Sequence, residues 1–241
     1  MIVLNFHYVE QNILHPTRKC ITITPGGLRA VIKTLRFMGY RIVSMPEVLA
    51  MNNPGLDTDN LALITFDDGY ENNLTEALPV LEEEQCPATV FVLPGRFDGT
   101  NAWDQGHLPE KDRDQLLSLA QMHTLANSPF ITLGSHGMTH VKMDQVSEAE
   151  LRDELFLSHQ ILSETFGQHY APVLAYPWGN HNQAVVDLMA ETPYKYAFTV
   201  ETAPWKAGIH PFMVPRYSAF YRDGNPFIFI AKLMRHNLVF R

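Results

Sequence analysis

Apolar and polar positions along this chain switch between two periods, and the switches mark its elements. Residues 2–8 are rich in β-forming side chains and predict a strand. Thr24-Pro25 then offers an N-cap and a first-turn proline. Leu28, Val31, Ile32, Leu35 and Met38 fall on one face of the helix that follows, and Gly39 is its stop. A short strand is expected over 41–43 and a short helix over 45–51. Residues 61–66 are almost continuously apolar and end in Asp67-Asp68-Gly69, as a strand buried on both faces of a parallel sheet would. The same alternation continues with a helix over 73–84, a strand over 88–92, a helix over 111–126 and a strand over 130–133. Ser147 and Glu150 form a capping box for the helix over 147–166, whose period runs through Leu151, Leu155, His159 and Leu162. Strands over 172–176 and 196–200 flank a helix over 183–191. A further strand is expected over 212–217, and Asn225-Pro226 opens a last helix.

Strands alternating with helices of this length imply βαβ units and parallel pairing. About seven such units predict a single domain, residues 1–241, folded as a distorted (β/α)7 barrel of the α/β class; a doubly wound open sheet is the alternative. The polar residues sit just after strands, where parallel barrels gather their active sites. The polar stretch 95–112, which contains Trp103, reads as a long loop over the strand ends and a candidate lid.

Composition narrows the partners. Eighteen Lys and Arg against 26 Asp and Glu give a net charge of −8, with no basic run interleaved with aromatics, so nucleic acid is not expected as a partner. The two cysteines, Cys20 and Cys86, lack metal-site spacing, and Cys86 reads as a small buried hydrophobe. No apolar run approaches the roughly 18 residues that span a bilayer. The N-terminus lacks a basic leader region and reads at once as a strand, so a cytoplasmic location is expected.

Two short segments carry the chemistry. Ser135-His136-Gly137-Met138-Thr139-His140 brings two imidazoles, four residues apart, to one side of a turn after a strand. Thr65-Phe66-Asp67-Asp68-Gly69-Tyr70 places two adjacent carboxylates after another. One carboxylate and two imidazoles suit a divalent metal, and the spare carboxylate can take a proton from an attacking water. Zinc is the default for a His2Asp set, while Co²⁺, Ni²⁺ and Fe²⁺ fit the same donors.

These segments, with Pro87-Ala88-Thr89-Val90-Phe91-Val92 and Tyr176-Pro177-Trp178-Gly179, resemble in order and spacing the polysaccharide deacetylase family (carbohydrate esterase family 4, the NodB-homology domain) over about residues 2–221. Phe6-His7, the Tyr-Pro-Trp-Gly turn and Pro215-Arg216-Tyr217 resemble its poly-N-acetylglucosamine deacetylase branch. The resemblance implies metal-dependent removal of acetyl groups from an N-acetylated amino sugar in a glycan or glycoconjugate. It makes Asp67 the catalytic base, Asp68, His136 and His140 the metal ligands, and the Trp178 backbone N–H an oxyanion donor. Two departures stand out. The third motif has Ala175 where the family usually has the arginine that holds the base, and the fifth motif, which supplies the general acid, has no match. Arg216 is therefore expected to pair with Asp67, because a base beside a metal needs an orienting, pKa-lowering partner. His210, and after it His181, are the candidates for general acid. His7 is a candidate for the pocket floor, and Trp103, Tyr70, Trp178 and Trp205 are candidates for stacking on sugar rings. The alternatives are a hydrolase of cyclic amides on the same scaffold, a carbohydrate-binding module without turnover, and a non-haem iron oxygenase. The last has no use for Asp67.

Overall fold

The computed structural model describes residues 1–11, 19–51, 60–104 and 114–239, the side chains of 236–239 excepted. Its centre is an eight-stranded, wholly parallel sheet. The strands in ring order are β10 (Tyr217–Ser218), β1 (Ile2–Phe6), β5 (Leu61–Phe66), β6 (Ala88–Val92), β7 (Ile131–Ser135), β8 (Tyr170–Ala175) and β9 (Tyr196–Phe198). Short β4 (Arg41–Ile42) pairs with the start of β5. A separate pair joins β2 (Tyr8–Val9) to β3 (Thr22–Ile23).

Closure is completed by an irregular segment. The Pro211 carbonyl accepts from the Ala197 amide at 2.9 Å, Thr199 N–H donates to Val214 at 2.8 Å, and Arg216 N–H donates to Glu201 at 3.0 Å. From the next residue on, the same segment pairs with β1 as β10, Leu4 opposite Tyr217 and Asn5 opposite Ser218. Residues 211–218 thus lie between β9 and β1, and the result is a distorted (β/α) barrel in one domain.

Alternation decides what faces inward. Ile2, Leu4, Phe6, Ile64, Phe66, Val90 and Leu133 join the layer beneath the helices. Residues of opposite parity, Val3, Leu63, Phe91, Val173, Ala175, Phe198 and Val214, fill the barrel. Toward the C-terminal strand ends this interior turns polar: Asn5, Thr65 and Thr89 stand in register, and Asp67 follows Thr65 with the same parity.

The helices are α1 (Pro25–Phe37), α2 (Met45–Ala50), α3 (Leu78–Glu83), α4 (Leu119–Ala126), α5 (Glu148–Arg152), α6 (Ser158–Phe166), α7 (Gln183–Met189) and α8 (Pro226–Val239). Thr24 caps α1 by accepting from Gly27 N–H at 3.0 Å. The capping box at Ser147 and Glu150 forms as expected. Three expectations need correction. The strand over 2–8 breaks at His7. The helix expected over 111–126 begins only at Leu119; residues 111–113 lie outside the described residues, and Leu116 instead bridges to Tyr70. The helices over 73–84 and 147–166 each contain a π turn, Asn73–Ala77 and Asp153–Leu157. Part of the stretch proposed as a lid, 105–112, also lies outside the described residues; its described part, 95–104, carries two 3₁₀ turns. Among the described residues no helix is long and apolar enough to cross a membrane.

Candidate active site

Strand ends put every principal side chain at one mouth of the barrel. Asp67 and Asp68 follow β5, His136 follows β7, and Trp178 lies in the turn after β8. A cavity of about 220 Å³ is lined by His7, Asp67, Asp68, Tyr70, His136 and His140, with Trp103, Tyr176 and Trp178 at its sides. A roomier groove beside α5 and α7 holds Asp144, Glu148, Asp187 and Glu191, but its Arg152 is paired to Glu148 and Glu191 and no imidazole enters it.

Strand geometry alone would send Asp67 and Asp68 to opposite faces. Asp68 instead adopts φ 73° and Gly69 φ 66°, which turns the second carboxylate back over the strand end. Gly69 also admits no larger side chain easily, since a Cβ there would come 3.1 Å from Val92.

The two carboxylates then take different partners. Oδ1 of Asp68 lies 3.2 Å from His136 Nε2 and 3.1 Å from His140 Nε2. The three donor atoms are buried and lie within 4.8 Å of one another. A tetrahedral ion with bonds of about 2.0–2.2 Å needs its donors roughly 3.3–3.6 Å apart, so the set fits a small divalent cation. The donor tautomer fits as well. His136 Nδ1 sits 2.8 Å from the Ala175 carbonyl, which can only accept; Nδ1 carries the proton and Nε2 faces Asp68. Burial would raise the Asp68 carboxyl, but His140 and His136 outweigh it and hold it well below the ordinary carboxylate range. Burial would likewise lower His136, and the Asp67 and Asp68 carboxylates outweigh it and raise that imidazole.

Asp67 meets Arg216 as expected. The pair is bidentate, Nη1 to Oδ1 at 2.7 Å and Nη2 to Oδ2 at 2.8 Å, with both side chains buried. Arg216 also donates through Nε to the Thr199 carbonyl at 2.9 Å and through Nη1 to Thr65 Oγ1 at 3.2 Å. Its guanidinium lies 5.7 Å from the Phe91 ring and 6.0 Å from Phe198. Burial pushes the Asp67 carboxyl up, and Arg216, then His136, outweigh it; the carboxyl is held below its ordinary value. Two buried carboxylates face one buried guanidinium, so one negative charge is left for a proton or a cation to balance.

The remaining candidates divide. His7 lies at the cavity, its Nε2 4.0 Å from Asp67 Oδ2, and Asn73 in the π turn donates to its carbonyl at 2.9 Å. His210 lies elsewhere. It stands just before Pro211, level with the start of β9, while the site is at the strand C-terminal ends; it is solvent-exposed and accepts from Phe212 N–H at 3.2 Å. His181 stacks on Tyr176 outside the cavity lining, with its Nδ1 2.9 Å from the Gly179 carbonyl. Trp178 is 45% exposed, holds φ 61°, and has Lys142 Nζ 5.7 Å from its ring centre. Trp103 stacks on His140 with centroids 4.1 Å apart. Trp205 is buried against Tyr196 and Phe198 inside the barrel and offers no face to a ligand. Glu154 was not foreseen: it is 6% exposed and accepts from the backbone of Met138 and Thr139, between the two imidazoles.

Known proteins share this architecture. The "Streptococcus pyogenes deacetylase PplD in complex with acetate" superposes with TM-score 0.76 at 21% identity, covering 96% of each chain. IcaB from Ammonifex degensii gives TM-score 0.74 at 20% identity, over 92% of this chain and 93% of that one. In sequence, a putative polysaccharide deacetylase of Bacillus subtilis, YxkH, is 27% identical over 173 residues, and a Staphylococcus aureus poly-beta-1,6-N-acetyl-D-glucosamine N-deacetylase 23% over 231 residues. The aligned regions span 71% and 89% of this chain, but 56% and 77% of those two proteins. The polysaccharide deacetylase family model matches residues 56–197, more than half of the chain and the stretch holding both the aspartate pair and the histidines, and the chain belongs to that family.

Proposed function

We propose that this protein is a metal-dependent hydrolase that removes N-acetyl groups from amino sugars of a glycan or glycoconjugate. The observation that carries the reading is the division of labour between neighbours: Asp68 faces two imidazoles while Asp67, one residue away in the same cavity, is held by Arg216. A structural carboxylate pair has no need of that division. Asp68, His136 and His140 would hold a divalent cation, zinc by default. Such a cation, when bound, supplies Lewis acidity toward a carbonyl and eases ionisation of water.

The chain's own groups supply the rest. Asp67, kept ionised by Arg216, accepts a proton as water adds to the acetyl carbonyl carbon. The Trp178 backbone N–H, in the turn that lines the cavity, would donate to the oxygen that becomes negative. As the C–N bond breaks, the leaving nitrogen takes a proton from His7, the imidazole of the cavity that is not part of the Asp68 cluster; the products are acetate and a free amine. Trp178, exposed at the rim, offers a face to a sugar ring. A relative's name supports the substrate class: it is a poly-beta-1,6-N-acetyl-D-glucosamine N-deacetylase.

The test is acetate release from N-acetylglucosamine oligomers by the whole chain, before and after chelation. Activity that chelation abolishes and zinc restores is expected. Release unaffected by thorough chelation refutes the metal-dependent reading, and absence of release from every N-acetylated glycan refutes the substrate class.

A further inference from the structure

The segment between the two imidazoles is gripped from an unexpected quarter. Inside the long helical stretch after Ser147, a π turn over Asp153–Leu157 interrupts the α pattern. π turns of this kind recur at functional sites. This one delivers Glu154, a carboxylate 6% exposed, onto the backbone of the loop that carries His140. Its Oε2 accepts from Met138 N–H at 2.6 Å and Thr139 N–H at 3.2 Å, and its Oε1 accepts from the Thr139 hydroxyl at 2.5 Å. Three donors from two consecutive residues therefore converge on one side chain, directly before His140. Gly137 lets it approach, since a Cβ there would stand 2.7 Å from Glu154 Oε2, and its φ of 80° is open to glycine.

A second chain ties the same turn to the loop's other end. Gly137 N–H donates to Ser135 Oγ at 3.1 Å, Ser135 donates to Ser158 Oγ at 3.1 Å, and Ser158 donates to the Glu154 carbonyl at 2.5 Å. All three side chains, Ser135, Ser158 and Glu154, are buried.

The two imidazoles differ in how they are held. His136 leaves the end of β7 and its ring is fixed by the Ala175 carbonyl. His140 lies four residues further on and adopts φ 68°, a left-handed conformation that costs free energy for a residue with a Cβ.

We infer that Glu154 is a positioning residue that sets the zinc affinity of the Asp68–His136–His140 cluster by fixing the backbone that places His140. The inference rests on the metal reading above. Outer partners that orient ligands change metal affinity by about 10–100-fold when removed. Glu154→Ala should weaken zinc binding by that factor. Glu154→Gln, which keeps the volume but turns an amide NH₂ toward backbone donors, should fall between it and the wild type. Thr139→Val, which removes one donor only, should lose a few-fold.

The measurement is competition for zinc between the chelator-stripped full chain and a chromophoric chelator, read beside the melting temperature of each zinc-free protein. Weakened zinc binding in zinc-free proteins that melt cooperatively supports the inference. Zinc affinity equal to wild type in all three variants overturns it, even if their melting temperatures fall, because that is the signature of a purely structural carboxylate. A wild-type chain that takes up no zinc sinks the metal reading and this inference together. If Glu154→Ala does not fold, Glu154→Gln and Thr139→Val decide the matter by the same comparison.

Discussion

Arg216→Met isolates the most heavily committed contact in the molecule. The change keeps an unbranched side chain of similar reach between Phe91 and Phe198 and removes both hydrogen bonds to Asp67, at 2.7 and 2.8 Å, with those to Thr199 and Thr65. Removing one partner of a buried ion pair costs about 3–5 kcal/mol, because the other charge is left unpaired. At about 1.4 kcal/mol per factor of ten, that is two to three and a half decades in the unfolding constant. For a chain of this size it is roughly 6–20 °C in melting temperature. The pH dependence has a definite sign. In the wild type the Asp67 carboxyl is held low, so its contribution to stability is present above the unfolded carboxylate pKa and is lost as pH falls through the folded value. Without Arg216 the burial that opposes ionisation is less compensated, and Asp67 takes up a proton at higher pH. The stability gap between wild type and variant should be widest near neutrality and narrow toward acid. Asp67→Asn added to Arg216→Met should recover part of the loss at neutral pH, since no buried charge then remains unpaired. In kcat/KM profiles the acidic limb of the single variant should move to higher pH. Thermal melts of the chelated proteins across pH, with kcat/KM profiles of the zinc-loaded ones, make the comparison. A folded Arg216→Met protein that loses less than about 1 kcal/mol and keeps the wild-type acidic limb refutes the reasoning.

Two further substitutions follow from the placement of side chains. His7→Ala should lower kcat by about 10²–10⁴-fold, the usual worth of a positioned proton donor, while zinc affinity stays put; His210→Ala, on the exposed segment before Pro211, should leave kcat/KM within about two-fold of wild type, and steady-state assays showing the reverse order would reassign the donor. Trp178→Ala keeps the backbone N–H but removes the exposed ring, so KM for oligomers should rise about 2–13-fold, as loss of about 0.5–1.5 kcal/mol of stacking would give, with kcat changed less; a drop confined to kcat would show that the ring acts on the reacting group.

What could be read from the sequence depended on distance along the chain. The gathering of Asp67, Asp68 and His136 was legible because they follow directly on strands whose apolar runs are unmistakable, and parallel barrels gather such positions at one mouth; His140 was legible from its four-residue spacing after His136. The partnership of Arg216 with Asp67 was inferable from a need, a base without its usual arginine, though not from any local pattern. His210 could not be placed from any local pattern: residues 211–218 run alongside β9 before reaching β1, so the start of the segment lies level with the start of β9 rather than with the strand ends that carry the site. The start of α4 does carry a local signal, the capping box of Ser118 and Gln121, which competes with the longer periodic run over 111–126. Glu154 left a fainter trace. It stands three residues after Leu151 and beside Leu155, on the stripe expected to be buried, and a carboxylate there requires donors. Nothing in the spacing showed that a π turn would supply them.

The site's geometry also explains where the backbone is strained. Among the described residues, six other than glycine have positive φ, and three of these, Asp68, His140 and Trp178, line the cavity. Each such conformation costs on the order of 1–3 kcal/mol. The reason lies in the barrel itself. A strand leaving the sheet carries alternate side chains inward and outward, so it can aim only every second residue at the axis. Asp67 has the inward parity and needs no correction. Asp68 has the outward parity, and a left-handed turn at that residue is what brings it to the same cavity. His140 and Trp178 likewise sit where the chain has just left a strand and must fold back over the mouth. Two adjacent carboxylates with separate partners are thus achieved by distorting one residue rather than by recruiting a second strand. The residues beside the strained positions are tied by contacts of their own: Arg216 clamps Asp67, next to Asp68, and Glu154 binds Met138 and Thr139, just before His140. Those contacts lie in the barrel seam and in a helix, outside the two short motifs that identify the chemistry.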